Sequence, residues 1–420
     1  MKNVIDILKE RGFIDQMTHD SLKEKVSSPI KVYVGFDPTA DSLHLGNLVP
    51  IMGLAWFQKC GHTPFAVLGG ATGLIGDPSG KSKERNLLDA KTLQYNVSCL
   101  EKFFQKILRF SEGEKPVVLN NMDWLGTFSL LDFLRDVGKH FRLGPMMAKE
   151  MVKNRMESEE GLSFTEFSYQ LLQGYDFHYL SREHGVELQM GASDQWGNIT
   201  AGTEFNRKVG GNTLYGLTFP LLTRSDGKKF GKTEDGAIWL SEEKLSPYEF
   251  YQHLIRTPDA DVIRLLRMLT FLSMEEIRKI ESEMHLPNQA QRRLAEEVTR
   301  FVHGEEGLQA ALRVTERMSQ GALKVLSKET LDQIEQDLGS HELLSSDILG
   351  KKFIEVASQL GLVASRSEGT KLIKNGGAYL NQEKIEDPSF CFSERDLIEG
   401  SFLLLGAGKK KQILIRVIKN

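Results

Sequence analysis

The chain has 420 residues, of which 40% are hydrophobic and 26% charged, and its formal net charge at pH 7 is -4. This length exceeds one typical core, so we expect two or three domains. The composition is that of an ordinary globular protein, and no apolar run reaches membrane-spanning length. Three distant cysteines, Cys60, Cys99 and Cys391, fit neither a disulfide framework nor a zinc motif. With no signal-peptide core at the N-terminus, we expect a cytoplasmic protein.

The charge is distributed unevenly along the chain. From Lys351 to the C-terminus there are 12 Lys and Arg against 8 Asp and Glu, a net charge of +4, which leaves -8 for the preceding residues. The acidic body argues against indiscriminate nucleic-acid binding. The basic end favours a polyanion as the partner of that segment alone, although random scatter of charge gives the same count.

The first half of the chain alternates strands with helices. A strand from Ile30 to Phe36 alternates its apolar residues, and two short apolar runs, Phe65–Leu68 and Pro116–Leu119, are typical of parallel strands buried on both faces. A further strand is predicted at Val186–Met190. Helical patterns lie around them, at residues 1–28, 49–60, 84–110, 129–173 and 195–207. This order predicts a doubly wound parallel sheet of Rossmann type, with ligands at the carboxyl ends of its strands.

Beyond Leu222 the pattern changes to a Gly- and Lys-rich loop and then to helical sequence up to about Arg317. After a polar stretch, two helices (353–360 and 367–374) and two strands (378–381 and 412–418) predict a small α+β module. We therefore divide the chain into five segments: a catalytic domain 1–222, a mobile connection 223–246, an all-α domain 247–325, a linker 326–350 and a C-terminal domain 351–420.

Three stretches carry possible chemistry. The segment 32–48 runs from a strand through a polar loop to a helix start, an arrangement that holds phosphates in parallel α/β sheets. His44 and Asn47 lie one turn apart there, and Gly46 leaves room for a flat ring. A single histidine is nevertheless more often structural. The lysines of loop 228–233 could close over a polyphosphate, although such a loop is usually just solvated.

The third stretch, GGATGLIGDPSGKS at residues 69–82, resembles two nucleotide motifs without matching either. It never gives the G-x-G-x-x-G spacing of dinucleotide-binding folds. A P-loop requires four residues between its first glycine and the Gly-Lys pair, and only three separate Gly76 from Gly80. The stretch instead offers a close-approach glycine turn at a strand end, with Asp77 at its rim and Lys81 and Arg85 nearby, or else a plain surface turn.

Taken together, these stretches resemble the class I aminoacyl-tRNA synthetases, and among them the bacterial-type tyrosyl-tRNA synthetases. HLGN at 44–47 matches the class signature written HIGH, and KFGKT at 229–233 matches the one written KMSKS. The blocks GFDPTADSLHLGN, GGATGLIGDPSGK, FTEFSYQLLQGYDF, GASDQWGNITAG and KKFGKTEDGAIWL are long and specific. The resemblance extends over essentially the whole chain, and implies a tyrosine–tRNA ligase that passes through tyrosyl-adenylate.

The resemblance also implies residue roles for the amino acid. Tyr33 and Asp176 would hold the substrate phenol, since the carboxylate accepts from an O–H and the hydroxyl both donates and accepts. The other side chains implied to contact tyrosine are Asp77, Tyr169, Gln173, Gln189 and Gln195. Independently of the resemblance, the spacing of Tyr169, Gln173 and Asp176 puts them on one helix face.

For ATP, the resemblance implies a nucleotide site and a charge-stabilising set. Asp37, Gly46, Asn47, Asp194 and Lys232 would bind ATP, with Asp37 and Asp194 reaching either the ammonium or the ribose. The groups implied to meet the pyrophosphate are Thr39, His44, Lys81, Lys229, Lys232 and Thr233. Mg²⁺ would come with ATP, without a tightly protein-bound metal. Asn47, Val34, Pro50 and Ala192 depart from the family pattern, so we expect altered ATP affinity but not loss of function.

For partners, the resemblance implies tRNA(Tyr), a homodimer and no membrane. The C-terminal domain resembles the ribosomal S-four-type RNA-binding fold, which binds RNA by shape and phosphate. Candidate tRNA contacts are Arg85, Arg207, Lys208, Arg366, Lys371, Lys409, Lys410 and Lys411. Phe164 and the segment 128–141 are apolar enough for an interface, but equally for a core.

Two alternative functions are open. The first is a non-catalytic paralogue that binds RNA, and it is opposed by the intact His44, Gly46 and Lys232. The second is an adenylating enzyme with a small-molecule acceptor, and it leaves the basic C-terminal module unexplained.

Overall fold

The computed structural model describes residues 3–79, 88–108, 117–223, 225, 227, 230–233, 236–317, 331, 335, 340–398, 400–408 and 411–418. At residues 232, 233 and 411 only the main chain is described. The chain forms two compact units. The first comprises Met1–Lys244 with Thr257–Leu294, and the second comprises Leu245–Arg256 with Ala295–Asn420. The five-segment division drawn from the sequence remains a prediction.

A six-stranded sheet forms the centre of the first unit. Its strands, in chain order, are β1 (Gln16–Met17), β2 (Lys31–Phe36), β3 (Thr63–Leu68), β4 (Val117–Asn120), β5 (Val186–Ala192) and β6 (Tyr215–Phe219). Their spatial order is β1-β6-β5-β2-β3-β4. All neighbours are parallel except β1, which pairs antiparallel with β6. The predicted doubly wound parallel sheet is confirmed, and the sequence analysis missed β6 and the two-residue edge strand β1.

Helices cover both faces of this sheet and extend beyond it. They are α1 (Val4–Glu10), α2 (Leu22–Lys25), α3 (Leu48–Lys59), α4 (Thr72–Ile75), α5 (Ala90–Ile107), α6 (Met122–Leu125), α7 (Leu130–Asp136), α8 (Leu143–Met147), α9 (Glu150–Met156), α10 (Phe164–His184), α11 (Trp196–Lys208), α13 (Asp259–Leu269) and α14 (Met274–Ser282). The predicted helical stretch 129–173 is therefore broken into α7, α8, α9 and the start of α10.

Local sequence explains the two helices that matter most for the site. From Leu48 to Gln58 every residue of α3 except Pro50 is buried, as expected of a helix enclosed by other elements. At the start of α10, the Ser163 side chain accepts a hydrogen bond from the Glu166 N–H. The same helix ends at Gly185, whose φ of 68° is a left-handed conformation that favours glycine.

The strand order places a topological switch between β2 and β5. From β2 the chain winds through β3 to β4 on one side, and from β5 to β6 on the other. The carboxyl ends of β2, β3, β4 and β5 are followed by Asp37, Gly69, Asn121 and Ser193. In open α/β sheets, ligands bind outside these strand ends at the switch point.

The second unit contains helices and a five-stranded sheet. The helices and strands are α12 (Pro247–Ile255), α15 (Gln289–Arg317, which begins in the first unit), α16 (Ser345–Ile348), α17 (Phe353–Gln359), α18 (Arg366–Lys374), β9 (His341–Leu344), β10 (Ala378–Leu380), β11 (Glu383–Lys384), β12 (Phe402–Ala407) and β13 (Lys411–Ile418). The sheet order is β11-β10-β12-β13-β9. The predicted helix pair, β10 and β13 are found, whereas β9 and the buried strand β12 were missed.

A short two-stranded ribbon completes the first unit. It consists of β7 (Lys232–Thr233) and β8 (Gly236–Ala237), which pair antiparallel. Within the described ranges, no helix is both long and apolar enough to cross a membrane.

Candidate active site

A cleft of about 600 Å³ opens at the carboxyl edge of the six-stranded sheet. It is lined by every residue predicted to contact tyrosine: Tyr33, Asp77, Tyr169, Gln173, Asp176, Gln189 and Gln195. It is also lined by the predicted nucleotide and phosphate residues Asp37, Thr39, His44, Gly46, Asn47 and Asp194. Side chains that lie far apart along the chain are therefore brought into one cavity.

Tyr33 and Asp176 form a buried polar pair in this cleft. They are 2% and 4% exposed. Burial raises the pKa of Tyr33 well above its ordinary value, and the nearby Asp176 carboxyl raises it further. Within the described part of the chain, the Tyr33 hydroxyl has no hydrogen-bond partner. A buried hydroxyl without a partner is costly, so a ligand hydroxyl that bonds to it would relieve that cost.

Two residues that the sequence analysis missed hold the Asp176 carboxyl. Asn121 Nδ2 donates to Asp176 Oδ2 at 3.0 Å, and Trp124 Nε1 donates to Asp176 Oδ1 at 2.7 Å. Burial raises the pKa of Asp176 to about 7, although both donors act in the opposite direction. Asn121 directly follows β4, so the rule that ligand-site residues follow parallel strands could have found it. Trp124 gives no such signal.

A second carboxylate, Asp37, is fixed where β2 ends. Thr72 Oγ1 donates to its Oδ1 at 2.9 Å, and the Tyr169 hydroxyl donates to its Oδ2 at 3.0 Å. A Cβ on Gly69 would lie only 2.1 Å from Asp37 Oδ1, so only glycine admits this approach. The predicted close-approach role of the glycine turn is therefore found at Gly69.

A third carboxylate, Asp77, also lines the cleft and is buried. Gln195 Nε2 donates to Asp77 Oδ2 at 2.6 Å, and the Ser79 N–H donates to Oδ1 at 3.0 Å. Gln173 Nε2 lies 3.4 Å from Gln195 Oε1 and extends this polar wall. With Asp194, which also lines the cleft, four carboxyl groups face this cavity, and this suits a ligand that carries an ammonium group.

The HLGN segment forms a reciprocal cap at the start of a short helix, Leu45–Asn47. His44 Nδ1 accepts from the Gly46 N–H at 3.1 Å, and Asn47 Oδ1 accepts from the His44 N–H at 3.1 Å. A Cβ on Gly46 would come 2.9 Å from the His44 ring, which explains the glycine. Because Nδ1 accepts, neutral His44 carries its proton on Nε2 and can donate through that atom.

The residues that follow the KFGKT segment, Ile238 to Leu240, are hydrogen-bonded to the HLGN segment through the main chain. The Leu45 N–H donates to the Ile238 carbonyl at 2.8 Å, and the Leu240 N–H donates to the Leu43 carbonyl at 2.9 Å. Gly231, with φ of 86°, lies so close that a Cβ there would be 2.7 Å from the Gly46 nitrogen. The two segments that the sequence analysis singled out are therefore neighbours in space.

Comparison with known proteins agrees with this geometry. A family model described as tRNA synthetases class I (W and Y) matches residues 24–320, which is most of the chain. The chain belongs to the class I tRNA synthetases. A second model, described as the tyrosine–tRNA ligase SYY-like C-terminal domain, matches residues 331–415. The family and the aminoacyl-tRNA ligase activity predicted from the sequence motifs are confirmed.

Full-length relatives of this class I synthetase include three ligases. The chain is 55% identical to a tyrosine–tRNA ligase of Protochlamydia amoebophila, with 100% of both chains covered. It is 48% identical to the tyrosine–tRNA ligase of Escherichia coli, with 98% of both covered. A chloroplastic/mitochondrial tyrosine–tRNA ligase of Arabidopsis thaliana is 50% identical over 99% of this chain and 84% of the relative.

Solved structures show the same fold. A C-terminally truncated mitochondrial tyrosyl-tRNA synthetase of Aspergillus nidulans has a TM-score of 0.67 at 34% identity, covering 74% of this chain and 92% of that one. A tyrosyl-tRNA synthetase of Archaeoglobus fulgidus has a TM-score of 0.56 at 15% identity, covering 73% and 99%. At the lower identity, the similarity concerns the fold alone.

Several predicted site residues of this synthetase lie outside the described residues. They are Lys81, Arg85, Lys229, Lys409 and Lys410, together with the side chains of Lys232, Thr233 and Lys411. Their predicted roles remain predictions. The four departures from the family pattern, Val34, Asn47, Pro50 and Ala192, all line the cleft. In the described ranges, no cluster of three His, Cys, Asp or Glu side chains is arranged to hold a metal ion.

The remaining candidates for tRNA contact lie on the surface of the synthetase. Arg207 is largely exposed and pairs with Glu204 at 2.8 Å, and Lys208 donates to the His140 carbonyl at 3.0 Å. In the second unit, Arg366 and Lys371 are exposed on α18. Each is accessible to a polyanion, and none of them lines the cleft.

Proposed function

We propose that the protein is a tyrosine–tRNA ligase. It joins L-tyrosine to ATP, forming tyrosyl-adenylate and pyrophosphate, and transfers the tyrosyl group to the 3′-terminal adenosine of tRNA(Tyr). The observation that carries the proposal is the buried pair of Tyr33 and Asp176 in the cleft, because the Tyr33 hydroxyl has no partner within the described chain. The full-length relatives named tyrosine–tRNA ligases support it.

The pair selects the amino acid by its phenol. The substrate hydroxyl donates to the Asp176 carboxylate and accepts from the Tyr33 hydroxyl, so both buried groups gain a partner. Phenylalanine would leave the Tyr33 hydroxyl and the Asp176 carboxylate without a ligand partner in a low-dielectric pocket. The desolvation penalty of these two buried groups exceeds the net free energy of the hydrogen bonds that are lost. Asn121 and Trp124 keep the Asp176 oxygens in place for this contact.

The other end of the amino acid is held by the electronegative walls. The α-ammonium interacts with Asp77, Tyr169 and Gln173, near the Asp77–Gln195 hydrogen bond of 2.6 Å. Asp37 either adds to this ammonium site or, with Asp194, binds the ribose hydroxyls. Gln189 and Gln195 form the walls between the two ends of the amino acid, with Gln195 nearest the carboxylate.

Adenylate formation then needs orientation and charge stabilisation. The tyrosine carboxylate is already a nucleophile, so no general base is required. Thr39 and the Nε2–H of His44 donate to the leaving pyrophosphate, while Gly46 and Asn47 lie against the adenosine. Lys81, Lys229, Lys232 and Thr233 spread the phosphate charge. Mg²⁺ accompanies ATP as part of that substrate and is held mainly by phosphate and water.

For its other partners, we propose a cytoplasmic homodimer that binds tRNA through the second unit and surface cations. The exposed basic residues of α18 and the basic C-terminal residues contact RNA phosphates. Large apolar side chains of the first unit are exposed between residues 130 and 164: Leu130, Leu131, Leu134, Leu143, Met147, Met156 and Phe164. A surface concentration of this kind favours a protein interface over a core.

Amino-acid-dependent exchange between ATP and labelled pyrophosphate tests the proposal. Each of the twenty amino acids is supplied in turn to the full chain with Mg²⁺. Tyrosine alone should support rapid exchange. The Asp176→Asn variant should lose discrimination, because its amide NH2 would face the N–H donor of Asn121 or of Trp124 and the acceptor for the phenol would be displaced. Exchange with another amino acid and none with tyrosine would overturn the assignment.

A further inference from the structure

A buried carboxylate outside the cleft is bonded to the chain that leads into the KFGKT segment. Asp261, in the first turn of α13, is 2% exposed. Its Oδ2 accepts from the Ser225 N–H at 3.1 Å and from Ser225 Oγ at 3.0 Å. The substrate-contacting roles proposed above use neither Asp261 nor Ser225.

An arginine on the same helix face completes the contact. Arg264 Nη2 lies 3.2 Å from Asp261 Oδ1 and also donates to the Thr223 carbonyl. Asp261 and Arg264 together therefore bond to two residues of one short segment, Thr223 and Ser225. Bonds to a buried charged group are stronger than neutral ones, so this attachment holds the main chain firmly.

The attached segment leads directly to the phosphate end of the cleft. The Phe230 N–H donates to the Leu222 carbonyl at 3.0 Å, which closes the base of the loop next to the Asp261 attachment. Phe230 lines the cleft, and the following Gly231 lies against Gly46. The residues flanking Phe230 and Gly231 in sequence are Lys229 and Lys232.

We propose that Asp261 is a positioning residue for adenylate formation. By fixing Thr223 and Ser225, with Arg264, it sets the base of the loop whose sequence carries Lys229 and Lys232, the lysines proposed above to spread the phosphate charge. Asp261 itself contacts no substrate. The inference rests on the proposed role of those lysines. Its action is on the transition state and not on tyrosine, whose proposed binding residues lie on β2, in the loop after α4, on α10, and on and just after β5.

The test compares two aspartates of the same helix turn. Asp261→Asn keeps the side-chain shape but turns one acceptor oxygen into a donor, which faces either the Ser225 N–H or the Arg264 guanidinium. Asp259→Asn removes the same charge from the same helix start, where Asp259 accepts from Gln291 Nε2 at 2.5 Å instead of from the loop. Both variants lose the same helix-dipole interaction, so their difference reports the loop attachment.

In tyrosine-dependent pyrophosphate exchange, Asp261→Asn should lower kcat by about tenfold and leave the tyrosine Kd within about twofold, whereas Asp259→Asn should change neither. A general loss of structure would instead weaken tyrosine binding and lower the thermal midpoint. An equal loss of kcat in Asp259→Asn, or an unchanged kcat in a folded Asp261→Asn, would overturn the proposal.

A second variant serves if Asp261→Asn does not fold. Ser225→Ala deletes only the Oγ hydrogen bond and should still lower kcat by about threefold. An unchanged kcat in Ser225→Ala would overturn the proposal.

A double variant separates this inference from the proposed function. If Asp261 acts through the loop, the fold-loss of Asp261→Asn combined with Lys232→Ala should be smaller than the product of the two single losses, because only Lys229 then remains to be positioned. Additive losses would contradict the positioning role. If Lys232→Ala alone leaves exchange unchanged, the proposed role of the lysine itself fails, and the positioning role falls with it. Slow exchange in Lys232→Ala with normal exchange in Asp261→Asn would overturn only the inference drawn here.

Discussion

Asp176 illustrates how single residues are tuned by their surroundings in this cleft. Burial alone penalises its charged form, and the hydrogen bonds from Asn121 and Trp124 recover part of that penalty, leaving its pKa at about 7. The carboxyl therefore changes its protonation state close to neutral pH. A proton on this group converts one acceptor oxygen into a donor, in the position where we propose that the phenol donates.

Tyrosine affinity should consequently depend on pH. Because the substrate phenol donates to ionised Asp176, binding favours the deprotonated carboxyl, so the tyrosine Kd should be flat above a pH of about 7. Below that value the Kd should rise by up to about tenfold per pH unit, since a proton must first be lost. Calorimetric titration of tyrosine across this range measures the slope and the released proton.

The matched control for this pH prediction is Tyr33→Phe. It removes the other phenol contact but keeps Asp176, so its affinity should be lower overall with the same dependence on pH. Asp176→Asn should bind weakly and show no slope. A Kd that stays constant from about pH 5.5 to about pH 8 in the unmodified protein would contradict the proposed role of the carboxylate.

At the scale of secondary-structure elements, Arg11 connects three helices of the first unit. It directly follows α1, its guanidinium donates to the carbonyls of Arg267, Thr270 and Leu272 around the end of α13, and it lies 4.4 Å from the centre of the Trp56 ring on α3. Burial lowers its pKa to about 10, so it remains charged at neutral pH. One side chain thereby caps α13, the helix that also carries Asp261.

Replacing Arg11 by lysine should destabilise the first unit by about 2–3 kcal/mol, because an ammonium cannot reach three carbonyls from one position or stack on the indole. Urea unfolding measures the change. Arg278→Lys is the control, since Arg278 is an exposed residue whose pairing with Glu10 at 3.8 Å contributes little. Equal stability of Arg11→Lys and the unmodified protein would show that the three bonds do not hold these helices together.

The elements that the sequence predicted are those with a local signature. Alternation predicted β2, and wholly apolar runs predicted β3 and β4, because parallel strands are often buried on both faces. The predicted burial of β4 is wrong: β4 is an edge strand of the sheet, and all four of its residues are only partly buried. Spacing alone placed Tyr169 and Asp176 on one face of α10. The strand β12 was missed although its residues Phe402–Leu405 are buried, because a short apolar run does not distinguish strand from helix. The two-residue β1 is too short to give any pattern.

Parts of the site could not be predicted, because their signal is tertiary. Trp124 and Asp261 contact residues 52 and 36 positions away in sequence, and nothing in their own segments indicates those partners. The reciprocal cap of His44 and Asn47 is similar: the sequence showed Asn47 as a departure from the family signature. The structure shows that its amide oxygen accepts from the His44 N–H, a bond that depends on the fold of the turn.

At the scale of the whole molecule, the two steps of the reaction should be separable. The cleft lies entirely in the first unit, whereas the SYY-like domain begins near residue 331. A truncation should end before β9, because β9 pairs with β13 and a cut at residue 351 would leave it without a neighbour. The chain 1–330 should keep tyrosine-dependent pyrophosphate exchange but lose tRNA(Tyr) charging by at least about a hundredfold.

Both activities should be measured on the same preparation of the truncated chain. Retained exchange serves as the control for folding, and the C-terminally truncated relative from Aspergillus nidulans was crystallised without its own C-terminal part. Normal charging by residues 1–330 would refute the RNA-binding role of the module. Loss of exchange would show that the first unit depends on it.

The dimer makes a separate prediction at this scale. Leu131 on α7 is 76% exposed within the apolar surface of residues 130–164, so Leu131→Glu should shift the protein towards monomers by burying an unpaired charge in the interface. Light scattering after size-exclusion chromatography measures the mass. Leu286→Glu, at a 45% exposed leucine outside that surface, should leave the mass unchanged. A monomeric unmodified protein would contradict the proposed homodimer.

The hydrogen bonds between residues 43–45 and residues 238–240 affect the order in which parts of the cleft can form during synthesis of the chain. Contacts between residues so distant in sequence form only after a long loop has closed, so they form late in folding. On the ribosome, the HLGN segment emerges early and must wait until residue 240 has been synthesised before its backbone partner exists. All residues proposed to bind tyrosine, the last of them Gln195, are therefore synthesised before the main-chain partners of the HLGN segment exist.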